Sequence, residues 1–172
     1  MKKLFAMVLA TSMCILMMGC GQSVESNVTT DLISFMGQPI ADVCKAIPEL
    51  EKDGNQYSAT TEKSTDGISL AGPFIDIDAK ENVTGITYGG AKYCIDTVWI
   101  GTSMEEAGKL IKERGWTFQS VDFAHGTAQY VVTYTKDNME LVLVSDESGD
   151  FSKSEESDVI GCVATISINI VV

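Results

Sequence analysis

Short runs of alternating apolar and polar residues, separated by turn residues at roughly ten-residue spacing, constrain the fold of this chain more than any other feature. The strongest run is 159–170, in which Thr165, Ser167 and Asn169 alternate with apolar residues. Its apolar positions are Ile160, Cys162, Ala164, Ile166, Ile168 and Ile170. Alternation of this kind predicts strands of a sheet with one buried face. Strands are predicted near 56–61, 68–71, 74–78, 83–88, 93–98, 117–123, 129–135, 140–145 and 159–170.

Two short helices interrupt the strand pattern. Ser103 and Glu106 have the spacing of a capping box, and Gly115 suits the end of the helix that they begin. The apolar face of this helix consists of Met104, Ala107, Leu110 and Ile111. An earlier helix begins at Pro39, ends before Pro48, and has the apolar face Ile40, Val43, Cys44 and Ile47.

The two helices also suggest an internal repeat. When Gly37 is aligned with Gly101, the helices coincide and 83–88 mirrors 163–168. This alignment predicts an α+β fold of two tandem units, 31–98 and 99–172. Each unit would be a helix followed by an antiparallel sheet, with one face of each sheet packed on its helix. Chance similarity of two capped helices is the alternative.

The N-terminus has the features of an export signal. Lys2 and Lys3 precede an apolar run, 4–18, that is shorter than the about 20 residues needed to span a bilayer. Gly19-Cys20 then resembles a bacterial lipobox, although Met17 stands where leucine is usual. The resemblance implies a signal peptide over 1–19, lipidation of Cys20 and a polar tether over 20–30. The alternative is an ordinary signal peptide that contains a cysteine.

The charge of the chain excludes one class of partner. Twelve basic residues against twenty-four acidic residues give a net charge of −12. Because such a surface repels phosphate groups, we expect no nucleic-acid partner, and we expect contact with the membrane only through the lipid anchor.

Three cysteines remain after Cys14 of the signal and the lipidated Cys20. An odd number implies at least one free thiol or an intermolecular bond. Cys44 and Cys162 lie on apolar faces and are interpreted as buried small side chains. A Cys94–Cys162 disulfide is left open, because it depends on a geometry that the sequence does not give.

Two resemblances to known families follow from these patterns. The Gly37 and Gly101 helices, each followed by strands in an exported lipoprotein, resemble SmpA/BamE-type lipoproteins and β-lactamase-inhibitor-protein-like domains. That resemblance implies a non-catalytic protein that binds another protein through its sheet or loops. The stretch 100–116 is similar to the opening of a PASTA domain, a cell-wall-binding module, but the strand pair typical of that family does not follow.

Candidate chemistry is sparse. The single histidine, His125, precedes Gly126 in a predicted turn and has no local nucleophile, so neither a triad nor a histidine metal site is predicted. Asp76 and Asp78 would share one strand face as a carboxylate pair, or simply as a solvated face. The acidic segment 146–158 does not have calcium-loop spacing and is interpreted as a solvated excursion, with cation binding left open. No catalytic residue, metal site or cofactor is predicted.

The predicted function is therefore a membrane-anchored, extracytoplasmic, non-catalytic module that binds an envelope or extracellular protein. A module for cell-wall glycan or a small ligand is the alternative, and a hydrolase is the third candidate. A protein-binding module is expected to expose a large patch of aromatic residues on one sheet face, and a sugar-stacking platform would also need exposed aromatic residues. The aromatic residues of the second unit are Trp99, Trp116, Phe118, Phe123, Tyr130 and Tyr134.

Overall fold

A computed structural model describes residues 30–59, 72–124, 126–149 and 155–171. Within these residues, eight antiparallel strands form one sheet in the order β1-β2-β3-β4-β8-β7-β6-β5. The strands are β1 Glu51–Asp53, β2 Gln56–Ser58, β3 Phe74–Ile77, β4 Val83–Tyr88, β5 Thr117–Phe123, β6 Gln129–Lys136, β7 Met139–Ser148 and β8 Val163–Ile170. The helices are α1 Ile40–Ala46 and α2 Met104–Glu113, with short 3-10 turns at Leu32–Phe35 and Glu156–Asp158.

The predicted fold class, two tandem helix-plus-sheet units, is wrong. The strands β4 and β8 pair with each other, with Ile86 opposite Ile168 and Thr87 opposite Ser167. The sheet is therefore continuous from β1 to β5. The physical reason is that β4 and β8 would each be an edge strand with unpaired backbone groups if the two halves formed separate four-stranded sheets. Pairing β4 with β8 gives both strands their backbone hydrogen bonds.

The local geometry at the two helices is nevertheless the same. The Gly37 N–H donates to the Val83 carbonyl at 2.9 Å, and the Gly101 N–H donates to the Val163 carbonyl at 2.8 Å. Both glycines have positive φ, 76° and 88°. The alignment of Gly37 with Gly101 thus describes two equivalent junctions between a helix and a strand, within one sheet.

One core fills the space between the sheet and the helices. The predicted apolar faces of both helices belong to it, with Val43, Ile47, Ala107 and Ile111 each 0% exposed. The sheet contributes Ile75, Ile86, Tyr88, Tyr130, Val132, Tyr134, Leu141, Leu143, Ile166 and Ile168. No helix among the described residues is long and apolar enough to cross a membrane.

Two details of the predicted strands are wrong, and one strand was missed. The segment 93–98 is not a strand but ends in a tight turn, where Ile95 and Val98 exchange both backbone hydrogen bonds. The last strand begins only at Val163, after a register shift opposite Ser145, so Ile160 is 52% exposed instead of buried. The predicted strand 68–71 lies outside the described residues. Strand β1, which is polar and only three residues long, has no apolar alternation to mark it.

Candidate functional site

The two faces of the sheet differ in what covers them. Helix α2 packs against the face that carries Tyr134, because a Cβ built at Gly108 would lie 2.8 Å from the Tyr134 hydroxyl oxygen. Tyr134 is 1% exposed, whereas its strand neighbours Thr133 and Thr135 remain partly exposed. Since successive side chains of a strand point to opposite faces, Thr133 and Thr135 lie on the face away from α2. This second face is the candidate site and is called the open face below.

The register between strands defines the open face, because residues directly opposite each other share a face. One row of opposed residues crosses all eight strands: Glu51, Ser58, Phe74, Thr87, Ser167, Val142, Thr133 and Ser120. A second row also crosses all eight: Asp53, Gln56, Asp76, Gly85, Asn169, Glu140, Thr135 and Thr117. A shorter third row contains Asp122, Val131, Val144 and Thr165.

Hydrogen bonds between side chains fix the surface of the open face. The hydroxyl oxygens of Thr87 and Ser167 lie 2.9 Å apart across the β4–β8 pair. The Gln56 amide donates to the Asp76 carboxylate at 3.0 Å, which joins β2 to β3. The residues between the carboxylates are mainly Thr, Ser and Val, which have short side chains. The polar face that the sequence predicted for 159–170, with Thr165, Ser167 and Asn169, is confirmed as part of the open face.

The charged residues in these three rows are all of one sign. The rows carry five carboxylates, Glu51, Asp53, Asp76, Asp122 and Glu140. Among the described residues no lysine or arginine lies in them. The two strand lysines belong to the other face: Lys52 is opposite Tyr57, and the Lys136 ammonium donates to the carbonyl of Arg114.

The ion pairs of the described residues leave these five carboxylates unneutralised. Four pairs are formed, and they join Lys45 to Asp42, Lys52 to Glu81, Lys92 to Glu49 and Lys112 to Glu156. None of these acids belongs to the open face. The open face is therefore a negatively charged surface, and four of its carboxylates are exposed while Glu140 is half-buried.

Asp76 and Asp78, which the sequence analysis placed together on one strand face, do not share a face, so the carboxylate pair that it left as an alternative does not form. Asp76 lies on the open face, but Asp78 follows the end of β3 and accepts the backbone N–H groups of Lys80 and Asn82, at 2.8 and 2.9 Å. These hydrogen bonds lower the pKa of Asp78, with the Asn82 N–H as the largest cause. Asp78 thus shapes the turn between β3 and β4, and a β-bulge after Asp76 separates the two side chains.

The aromatic residues do not form an exposed platform. Trp116, Tyr130 and Tyr134 are at most 3% exposed. Phe118 packs edge-on against Tyr134, and Phe123 packs against Tyr130, both on the helix-covered side. Phe74 is the one aromatic residue that the register of the described strands places on the open face, and it is half-buried. The face therefore lacks the patch of exposed aromatic residues expected of a protein-binding face, as well as the stacked aromatic surface on which a sugar ring binds.

A buried polar cluster lies where the described chain begins. The Asp31 carboxylate accepts the N–H groups of Asp96 and Thr97 at 2.8 and 3.1 Å. Asp96 in turn accepts from the indole N–H of Trp116. Asp96 and Thr97 have positive φ, 45° and 71°, which costs a non-glycine residue about 1–2 kcal/mol. Asp31 therefore stabilises a strained turn, and this role has no sequence motif that would have identified it.

Cys94 is a free thiol, so the Cys94–Cys162 disulfide is not formed. Burial, followed by the nearby Asp31 charge, raises the pKa of Cys94 to about 11. Its thiol is consequently protonated at neutral pH and a poor nucleophile. Cys44 is a half-buried free thiol on α1, and Cys162 is 6% exposed.

Part of the acidic segment 146–158 packs against α2. The Tyr134 hydroxyl donates to the Glu156 carboxylate at 2.6 Å, and Lys112 donates to its second oxygen at 2.9 Å. Burial, and then Glu156, raise the pKa of Tyr134 above its usual range. A groove of about 520 Å³ lies beside Glu156, with Ile160 in its lining. Residues 150–154 of the segment lie outside the described residues.

The described residues hold no group of three or more His, Cys, Asp or Glu side chains that could bind a metal ion. His125 and Cys20 lie outside the described residues. The five carboxylates of the open face are the residues that the sequence analysis largely missed. Alternation with inward apolar side chains in β5 and β7 is the signal that would have assigned Asp122 and Glu140 to one face, whereas β1 carries no such pattern.

Comparisons with known proteins place the chain in no family. No protein-family model matches it, and no curated protein matches it. The crystal structure of an extracellular protein containing a SCP domain, from Bacillus anthracis str. Ames, is similar at 8% sequence identity and a TM-score of 0.49. The similarity covers 87% of this chain and 48% of that one, so this chain spans about half its length. A likeness at this level assigns neither a family nor an activity.

Proposed function

We propose that the protein is a lipid-anchored lipoprotein on the extracytoplasmic face of the cell membrane or outer membrane, and that it binds another envelope or extracellular protein without catalysis. The observation that carries the proposal is the open face, on which two rows of residues cross all eight strands. The described helices pack on the opposite side, so no helix of the described residues covers this face.

The size of the open face suits a protein partner. Eight strands spaced about 4.8 Å apart span about 34 Å; two rows of opposed residues extend over this whole width, and the third row extends over four strands. The resulting area of roughly 600 Å² is about three quarters of the about 800 Å² that each partner contributes to a standard protein–protein interface. A small ligand would use only a fraction of it.

The attachment of the tether leaves this face accessible. The described chain begins next to Asp31, which pairs with Cys94 in the connection before α2, and Leu32 is buried in the core. A lipid on Cys20 would therefore pull on the layer of helices and loops. Cys20→Ala should release the protein from membranes, and unchanged membrane retention would refute the lipid anchor.

In-cell photo-crosslinking of the full chain tests the binding face. A photoreactive amino acid is placed at Val142, in the middle of the open face, and in a matched variant at Lys109, on the exposed side of α2. We expect one dominant crosslinked protein from Val142 and at most background from Lys109. Equal capture from both positions, or capture from Lys109 alone, would contradict the proposed binding face.

A further inference from the structure

The open face also indicates the chemistry of its partner. This inference rests on the proposed function and adds to it. The five carboxylates are spread over the face: Glu51 and Asp53 on the edge strand β1, Asp122 on the other edge strand β5, and Asp76 and Glu140 between them. A surface that extends over about 34 Å with charges of one sign at both edges and in the middle favours an extended partner of opposite charge.

We propose that the open face binds a protein surface rich in lysine and arginine. Four ion pairs of the described residues place basic side chains beside acids elsewhere in the molecule. The carboxylates of the open face are left with hydrogen bonds from neutral donors, such as Gln56 to Asp76 and Ser120 to Asp122. Their charge is therefore available to a basic partner.

The charges and the side chains of the open face disfavour three other occupants. A second copy of this chain, docked face to face, would oppose five carboxylates with five carboxylates. An anionic lipid surface or an anionic polymer would be repelled in the same way. A glycan would lack the exposed aromatic residues on which sugars stack, because Tyr130 and Tyr134 lie on the covered side and are 1% exposed.

Asp76 and Glu140 are the best positions for a test. Both lie in the row that contains Gly85 and Asn169, so a partner that covers the middle of the face contacts both. Their carboxylates are in no ion pair of the described residues, so charge reversal breaks no internal pair. Glu106 and Glu113, exposed on α2, provide a control pair with the same change in net charge.

The experiment repeats the Val142 photo-crosslinking of the full chain in three backgrounds: wild type, Asp76→Lys with Glu140→Lys, and Glu106→Lys with Glu113→Lys. We expect at least tenfold less crosslinked partner with the Asp76 and Glu140 reversal, and less than twofold change with the control. The neutral pair Asp76→Asn with Glu140→Gln should give about a threefold loss. It provides the same test in case the double reversal does not fold.

The outcomes separate the two proposals. If Val142 captures a partner equally well in all backgrounds, the binding face stands and the basic partner is refuted. An equal loss in both reversal backgrounds attributes binding to net charge and refutes the assignment to this face's carboxylates. A product that contains two copies of this chain contradicts the basic partner. If Val142 captures nothing in wild type, the proposed binding face fails, and the inference fails with it.

Discussion

The two junctions between helix and strand have the same backbone hydrogen bonds but different means of fixing the helix. In both, a glycine with positive φ precedes the helix and donates to the strand that returns beside it. At the first junction Pro39 precedes α1 and no side chain caps the helix. At the second junction the Ser103 hydroxyl accepts the Glu106 N–H and caps α2.

The elements around the helices differ further. Before α1, the Asp31 carboxylate joins the start of the described chain to the turn 95–98, which precedes α2. On α2, the absence of a side chain at Gly108 lets Tyr134 and Glu156 approach the helix and form their hydrogen bond. A repeated sequence pattern can therefore specify a repeated local junction while the strands that follow form one continuous sheet.

The largest predicted effect compares how much one buried isoleucine at each junction contributes to the free energy of unfolding. Ile47 and Ile111 occupy corresponding positions after Gly37 and Gly101, and each is 0% exposed. Ile47→Ala and Ile111→Ala should each lower the free energy of unfolding by about 3 kcal/mol, because each leaves a cavity in the one core. Urea denaturation measures both. The exposed Lys109→Ala is the control, with an expected change below about 0.5 kcal/mol. If only one of the two substitutions lowered the free energy of unfolding by less than about 1 kcal/mol, the two isoleucines would not be equivalent.

The second effect tests the hydrogen bonds that join the segment before the first junction to the turn 95–98, which precedes the second junction. Asp31→Ala removes the acceptor of two N–H groups in the strained turn, and should cost about 2 kcal/mol in free energy of unfolding. Asp42→Ala is the matched control, because Asp42 is an exposed carboxylate paired with Lys45, and should cost less than about 0.5 kcal/mol. Thermal or urea unfolding of the two variants measures both changes in the free energy of unfolding. Equal effects would show that Asp31 does not stabilise the turn.

The third effect is specific to the second junction and depends on pH. The pKa of Tyr134 is raised by burial and by Glu156, so the folded state holds its proton more tightly than the unfolded state does. The resulting stabilisation is complete below pH about 10, the usual tyrosine pKa, and is lost as pH rises above it. Tyr134→Phe should cost about 1.5 kcal/mol at pH 7.

The pH dependence of the variant completes this test. Urea midpoints at pH 8 and pH 10.5 should fall more steeply in wild type than in Tyr134→Phe. Identical slopes for the two proteins would mean that Tyr134 does not titrate differently in the folded and unfolded states.

The smallest effect tests the shared backbone geometry. No atom lies within 4 Å of a Cβ built at Gly37 or Gly101, so an added side chain meets only the cost of positive φ. Gly37→Ala and Gly101→Ala should each cost about 1 kcal/mol. Asn at the same positions should cost less, since asparagine adopts this conformation more readily. A difference between the two alanine variants larger than about 1 kcal/mol would show that the junctions are not equivalent.

Local structure was largely predictable from the sequence. The strand bounds 83–88 and 117–123 and the apolar faces of both helices were predicted correctly. They depend on neighbouring residues, through alternation, capping and proline. The pairing of β4 with β8 was not predictable, because it joins residues about 80 positions apart, such as Thr87 and Ser167, without any local signal.

The site was predictable only in part. The polar residues of β8 were assigned to one face, but the carboxylates of β1, β5 and β7 were not joined to them, since the order of the strands was unknown. Ile160 was assigned to a buried face because the alternation of 159–170 was extended through a register shift at Ser145 and Val163. The lipid anchor at Cys20 and the predicted residue ranges of the signal peptide and tether stay predictions.

The open face exists only if the sheet is continuous between β4 and β8, and a disulfide tests this pairing directly. Thr87 and Ser167 are opposed across that pair, with their hydroxyl oxygens 2.9 Å apart. Thr87→Cys with Ser167→Cys should therefore form a disulfide on mild oxidation, mapped by mass spectrometry. Thr87→Cys with Val142→Cys, in the same row but two strand spacings or about 10 Å apart, should not form one. Absence of the first disulfide, or equal formation of both, would contradict the continuous sheet.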